Sequence, residues 1–141
     1  SHLHGIVLQF PLYAGMFGII QGTALAKKIA DAFVSVASTR TLPLITFWYS
    51  GILNYFVPSG GSKWAIEAPY LIDAARRRGV SVPRVAMAYA YGDMCTNLIQ
   101  PFWAIPLLSV AKLEFKDILG FEAIAFIVYT AMASIALTYF Y

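Results

Sequence analysis

Two polar islands in a strongly apolar chain carry the groups that could do chemistry. The first is Asn54-Tyr55-Phe56-Val57-Pro58-Ser59-Gly60-Gly61-Ser62-Lys63-Trp64, and the second is Tyr91-Gly92-Asp93-Met94-Cys95-Thr96-Asn97, followed by Gln100 and Pro101. Gly60 and Gly61 let a ligand approach the backbone closely and supply unusual φ/ψ. A helix restarting near Ser62 or Lys63 presents N–H groups with no intrahelical partner and partial positive charge. With the hydroxyls of Ser59 and Ser62, that is a small receptor suited to a carboxylate. The arriving half-helix ends near Asn54 to Val57, and its carbonyl end favours a cation. In the second island Thr96 and Asn97 can bond a carboxylate or complete an oxygen shell for Na⁺. Asp93 is ionisable at membrane depth, a functional candidate by default, and Gln100 lies about one turn past Thr96. Phe56, Trp64, Met94 and Trp103 can enclose a short alkyl chain. The expectation is that Ser59, Gly60, Gly61, Ser62, Lys63, Trp64, Thr96 and Asn97 meet the substrate. Asn54, Asp93, Thr96, Asn97 and Gln100 would meet a coupling ion, H⁺ or Na⁺, with no other cofactor and no metal centre.

Each of these groups also has a plainer reading. The glycine pair can be a surface loop, Ser59 or Ser62 only an N-cap, and Thr96 and Asn97 hydrogen-bonding glue between helices. Asp93 can pair with an Arg or Lys from another part of a longer molecule. Glu67 and Asp73 read as lying near the hairpin mouth, Arg76 to Arg78 as an anchor, His2 and His4 as solvated, and Cys95 as a small packing residue. Chemistry of the enzymatic kind is disfavoured. Tyr91-Gly92-Asp93 is similar to the Gly-x-Gly-Asp of intramembrane aspartyl proteases, but residue 90 is Ala and no second carboxylate is expected mid-span to share a proton. No Ser/His pair, His-Glu zinc motif or phosphate-binding loop is present.

The elements that must position these islands follow from composition. The 141 residues are 60% hydrophobic and 12% charged, half the charge of a soluble domain at about 25%, and mean hydropathy is +0.68. The class is an all-α polytopic membrane protein. The net charge of +3 comes from basic residues flanking apolar segments, as membrane topology requires, and does not suggest nucleic-acid binding. A single cysteine excludes an internal disulfide. The N-terminus carries no signal-peptide pattern, and the chain reads as a piece of a longer polypeptide.

Residues 5–26 read as a first span, with Gly15, Gly18 and Gly22 at packing positions. Residues 24–38 are amphipathic, an interfacial helix. Residues 42–57 are short for a crossing, which takes roughly 20 residues. Residues 65–75 are shorter still, so 42–75 is expected to form a re-entrant helical hairpin with its tip at Pro58 to Ser62. Non-helical backbone is tolerated at that depth only where protein or a watery cavity covers it. Residues 83–111 form a span broken near Gly92 to Asn97, and 119–139 a conventional last span. The whole is three transmembrane helices, one of them broken, plus the hairpin. Lys27, Lys28, Arg40, Arg76, Arg77, Arg78 and Arg84 then share one face, which the positive-inside rule places in the cytoplasm. An assembly subunit without transport is the alternative, but a packing module does not need two polar helix breaks in lipid.

At these residues the chain resembles the bacterial short-chain fatty acid transporter family. The resemblance is carried by Val57-Pro58-Ser59-Gly60-Gly61 with Trp64 and Pro69, by Ala88 to Met94 with Thr96-Asn97-Leu98-Ile99-Gln100-Pro101-Phe102-Trp103, and by Leu8 to Gly15. It covers nearly the whole chain as a C-terminal third. The family pattern has Gly and Gln where this chain has Ser62 and Lys63; a lysine there either pairs with an anion or snorkels away. The resemblance implies one repeat of an inverted-repeat, ion-coupled carrier in the bacterial inner membrane, of a group often dimeric. Its substrates would be small carboxylates such as butyrate or acetoacetate, and its partner the N-terminal part of the same transporter. It also implies Ser59, Gly60 and Gly61 at the hairpin tip facing substrate or ion, opposite Asp93, Thr96 and Asn97.

Overall fold

The computed structural model describes residues 23–56 and 58–140, with a few scattered positions before them. The expected first span, 5–26, thus lies largely outside the described residues. Every regular element among the described residues is a helix: α1 (Leu25–Val36), α2 (Leu42–Phe56), α3 (Gly60–Arg77), α4 (Val82–Asn97), α5 (Pro101–Ala111) and α6 (Phe115–Tyr139).

α1 turns Phe33 inward, where its ring meets Tyr49 edge-on at 4.7 Å. α1 lies along α3, and its far end is tied there by charge. Arg77 pairs with Asp31 at 3.3 Å and with Asp73 at 2.6 Å, the Arg78 guanidinium donates to the Val34 carbonyl, and Thr39 Oγ1 donates to the Arg78 carbonyl at 2.8 Å. The basic cluster therefore gathers at one end of the α1–α3 pair. Ser38 and Thr41 start α2 by exchanging bonds, Ser38 N–H to Thr41 Oγ1 at 2.8 Å and Thr41 N–H to Ser38 Oγ at 3.2 Å, satisfying N–H groups that a helix start leaves open.

α2 ends at Phe56, two residues before Pro58; proline disfavours helical backbone in the residue before it. α3 then restarts at once. Ser59 stands at its N-cap with no side-chain cap bond, and the Lys63 N–H already bonds the Ser59 carbonyl at 2.9 Å. Gly60, Gly61, Ser62 and Lys63 are therefore the first turn of α3 and not a loop. That lengthens the second arm to 18 residues, about 27 Å at 1.5 Å per residue, against the 11 residues of 65–75. Shortness, the ground for a re-entrant hairpin, holds for α2 and not for α3.

α2 and α4 make the closest pairing in the fold, and a glycine pair permits it. A Cβ at Gly92 would stand 2.0 Å from the Phe47 carbonyl oxygen, and one at Gly51 would stand 3.1 Å from the Gly92 carbonyl oxygen. The expected break at Gly92 to Asn97 is corrected by this geometry: α4 runs unbroken through Asn97, and the gap falls at Leu98 to Gln100. Gly92 is a contact point, and Pro101 is the breaker. Proline has no N–H for the carbonyl four residues back and pushes the residue before it out of the helical region; Gln100 is accordingly extended, at φ −96° and ψ 119°.

α5 closes on Lys112 in the left-handed region at φ 56°. α6 opens with a reciprocal Glu114–Asp117 cap and runs 25 residues. Among the described residues it is the one helix long and apolar enough to cross a membrane. Phe121, Ile124, Ile127, Val128, Met132 and Ile135 stand exposed along it. Its other side packs Leu137 with Phe47, Ala88 and Cys95. Cys95, with Thr130 Oγ1 at 3.5 Å, is a packing residue here.

Candidate functional site

The two islands meet. Asn54, on the last turns of α2, is 1% exposed and turns its amide onto the end of α4. Its Nδ2 donates to the Asp93 carbonyl at 2.9 Å, to Thr96 Oγ1 at 3.1 Å and to Asn97 Oδ1 at 2.8 Å. Two protons are thus shared among three acceptors. A buried amide that loses such partners costs about 1–3 kcal/mol, so this side chain fixes the end of α2 against the end of α4. The Asn54 Oδ1 and the buried Ser50 Oγ have no hydrogen-bond partner among the described residues.

Lys63 does not snorkel. Its side chain is 0% exposed, and Nζ lies 2.7 Å from Asp93 Oδ1, whose side chain is 17% exposed; the Ser50 carbonyl is 3.5 Å away. Asp93 therefore has its basic partner within this chain. Removing an ammonium from water costs several kcal/mol, recovered only when the counter-charge is close and well placed. At 2.7 Å that condition is met. Gly60 completes the contact: a Cβ there would sit 2.7 Å from Asp93 Oδ2, so the carboxylate lies directly against the first turn of α3.

One turn beyond Lys63, Glu67 is 2% exposed. Placing it near a hairpin mouth is corrected by the structure. Tyr89 donates to Glu67 Oε2 at 2.5 Å, Tyr49 donates to Oε1 at 3.1 Å, and the Tyr49 and Tyr70 hydroxyls are 2.9 Å apart. A second carboxylate is thus buried near Asp93, also against expectation. Each has its own partner set, Lys63 for one and tyrosines for the other, so they do not form a proton-sharing dyad. The sequence did hold a signal for Glu67. Lys63, Glu67, Tyr70 and Ala74 recur at helical spacing, and all four are buried.

Beside the ion pair opens a cleft of about 390 Å³ lined by Gly60, Gly61, Trp64, Tyr89, Asp93 and Met94, with Ala86 and Ala90. Small-molecule pockets run from about 300 to 1,000 Å³. Trp64 and Tyr89 meet at 5.0 Å and form its aromatic wall. The structure therefore brings together Asn54, Gly60, Lys63, Asp93, Thr96 and Asn97, with Gly61 and Trp64 along the cleft. Ser59 is half-buried at the N-cap, Ser62 is exposed, and Gln100 is buried in the α4–α5 gap with its Oε1 unpartnered among the described residues.

The family model described as short chain fatty acid transporter matches residues 1–140. This chain belongs to the short-chain fatty acid transporter family. Over 136 residues it is 40% identical to a protein of Escherichia coli (strain K12) and 41% identical to one of Haemophilus influenzae (strain ATCC 51907 / DSM 11121 / KW20 / Rd). Both are provisionally named short-chain fatty acid transporters. Each alignment covers 96% of this chain but only 31% and 30% of those relatives, so the chain spans about a third of their length. No solved structure matches. Transporter-family membership makes it a membrane protein.

Proposed function

We propose that this chain is the substrate-handling part of an ion-coupled secondary carrier for short-chain fatty acids in the bacterial inner membrane. The observation that carries the reading is the meeting of two helix interruptions beside a cleft. The start of α3 is joined to the end of α4 by the Lys63–Asp93 pair, the end of α2 is joined to it by the Asn54 amide, and an apolar pocket opens next to them. A short acid has two ends with opposite needs. Its carboxylate suits the N–H groups of Gly60 and Gly61 and the Lys63 ammonium, with Ser59 and Ser62 at the rim. Its alkyl end suits Trp64 and Met94. An arriving carboxylate competes with Asp93 for Lys63, which couples binding to a rearrangement of the α3–α4 contact.

A cation travels with the acid in this reading. For Na⁺ the natural ligands are the oxygens of Asn54, Thr96, Asn97 and Gln100, with Asp93 as counter-charge; for H⁺ the natural site is a carboxylate. The same reading makes α2–α3 a re-entrant hairpin and α4–α5 a broken span. The chain is then one of two inverted repeats of a multi-pass carrier, completed by the N-terminal part of the full-length protein and paired as a homodimer.

The test is uptake of labelled acids, from acetate to hexanoate, into proteoliposomes of the full-length protein, with Na⁺ and pH gradients imposed separately. Accumulation above protein-free vesicles under one of the gradients is expected. Equal accumulation in both vesicle types for every acid would overturn the reading.

A further inference from the structure

The Lys63–Glu67–Asp93 group holds two acids and one base; Lys63 and Glu67 are buried, while Asp93 reaches the cleft. Lys63 is 0% and Glu67 2% exposed. Lys63 is committed to Asp93 at 2.7 Å, so Glu67 is the acid without a dedicated counter-charge. With both carboxylates ionised the group carries one net negative charge, and one proton makes it neutral.

The partners of Glu67 are suited to holding that proton reversibly. From α2 comes Tyr49, from α3 Tyr70 with Lys63 one turn away, and from α4 Tyr89 with Asp93 one turn further. Phe33 of α1 packs on Tyr49 and brings no charge to the group. An arginine or lysine partner can only donate, and so favours the ionised acid alone. A tyrosine hydroxyl both donates and accepts. Tyr49 and Tyr89 donate to the ionised Glu67. When Glu67 is protonated its own O–H can donate to Tyr49, whose hydroxyl turns toward Tyr70 2.9 Å away. The Glu67 carboxyl and the Tyr49 hydroxyl are then bonded in either protonation state by rotating O–H groups, with no movement of a helix. Tyr89 is also a wall of the cleft beside Trp64 and Asp93, so one side chain touches both the proton site and the proposed acid pocket.

We infer that the coupling ion is a proton and that Glu67, set in the Tyr49–Tyr70–Tyr89 hydroxyl cluster, is the group that takes it. This rests on the carrier reading for its purpose, but the proton site stands or falls by its own measurement. The proton adds to the Glu67 carboxylate from one aqueous face and leaves to the other. Binding and release are the only chemistry, and no covalent bond of the acid is made or broken.

The experiment is pH-difference infrared spectroscopy on the purified full-length protein, following the C=O stretch of a protonated carboxyl, alongside uptake in proteoliposomes. A band that titrates reversibly in the parent protein should be lost in Glu67→Gln and kept in Asp93→Asn. Tyr89→Phe, which keeps the ring and removes one hydroxyl, should retain the band and move its midpoint. Uptake driven by a pH gradient should fall at least tenfold in Glu67→Gln. A band that survives Glu67→Gln, or that vanishes only in Asp93→Asn, overturns the assignment. So does parent uptake that follows a Na⁺ gradient and ignores a pH gradient. If the parent carries no short acid at all, the carrier reading fails, while the infrared titration still decides whether Glu67 binds a proton.

Discussion

Lys63 Nζ stands 2.7 Å from Asp93 Oδ1, and the lysine is wholly buried while the aspartate keeps 17% of its side chain exposed. The pair spans the first turn of α3 and the last turns of α4, so it is a lock between two interrupted elements, and its Asp93 half lines the cleft. Breaking a buried pair by removing one partner typically costs about 3–5 kcal/mol, because the other charge is left without compensation. Lys63→Met should therefore lower the stability of the full-length protein by about 3 kcal/mol, with Asp93→Asn costing no less because it strands the more deeply buried charge. The double variant Lys63→Met/Asp93→Asn should recover most of the loss. Denaturation of all three in detergent gives the coupling directly, and additive losses would refute a lock.

The glycines make opposite demands. Gly92→Ala places a methyl 2.0 Å from the Phe47 carbonyl oxygen, a backbone atom that cannot step aside. Overpacking costs about 1–3 kcal/mol, occasionally more, and this contact belongs at the upper end. The expected result is severe loss of folded protein in size-exclusion chromatography. Gly61→Ala meets nothing within 4 Å and lies in a helix, where alanine is favoured over glycine by about 1 kcal/mol. It should fold at least as well as the parent. Because the added methyl stands at the cleft, uptake should drop at the same time, a loss of activity with no loss of stability.

Asn54→Leu keeps the size of the side chain and removes the donor for Asp93 O, Thr96 Oγ1 and Asn97 Oδ1. The expected cost is about 2 kcal/mol for unsatisfied buried acceptors, together with transport at background. Ser59→Ala is the contrasting change. Ser59 makes no side-chain cap bond, so stability should be unchanged, and a fall in uptake would be a direct effect at the rim of the site. Uptake and melting midpoints measured on both variants separate the two roles.

What the sequence disclosed and what it hid divide along physical lines. Composition gave the helical class, and the polar islands at 54–64 and 91–100 gave Asn54, Gly60, Asp93, Thr96 and Asn97, which do meet. Polarity in an apolar background survives into the structure because burying such groups demands partners. The position of the second break was misread because Gly92 serves two purposes that look alike in one dimension: glycine weakens a helix, and glycine lets two helices touch. Only the 2.0 Å approach of Phe47 O tells them apart, whereas Pro101 interrupts a hydrogen-bond ladder whatever its surroundings. The burial of Glu67 was legible in the helical spacing of 63, 67, 70 and 74, but its hydroxyl cluster was hidden for another reason. Its hydroxyls come from three helices, at positions 49, 70 and 89, and no local pattern in sequence announces a convergence of that kind.

Trp64 governs the last expectation, which concerns selectivity. Its indole meets Tyr89 at 5.0 Å and walls the cleft along with Met94, the part assigned above to the alkyl chain. The length of that apolar floor then sets how many methylenes fit. Trp64→Leu shortens the wall and frees space for a longer acid while leaving Lys63, Gly60 and Gly61 untouched. Each methylene moved from water into an apolar pocket is worth about 0.8 kcal/mol, close to a fourfold change in affinity. The ratio of hexanoate to butyrate uptake should therefore rise by about an order of magnitude for the two extra methylenes, read as competition against labelled butyrate in proteoliposomes. An unchanged ratio in a stable variant would place the alkyl chain elsewhere, and the cleft beside Asp93 would no longer be the seat of the acid.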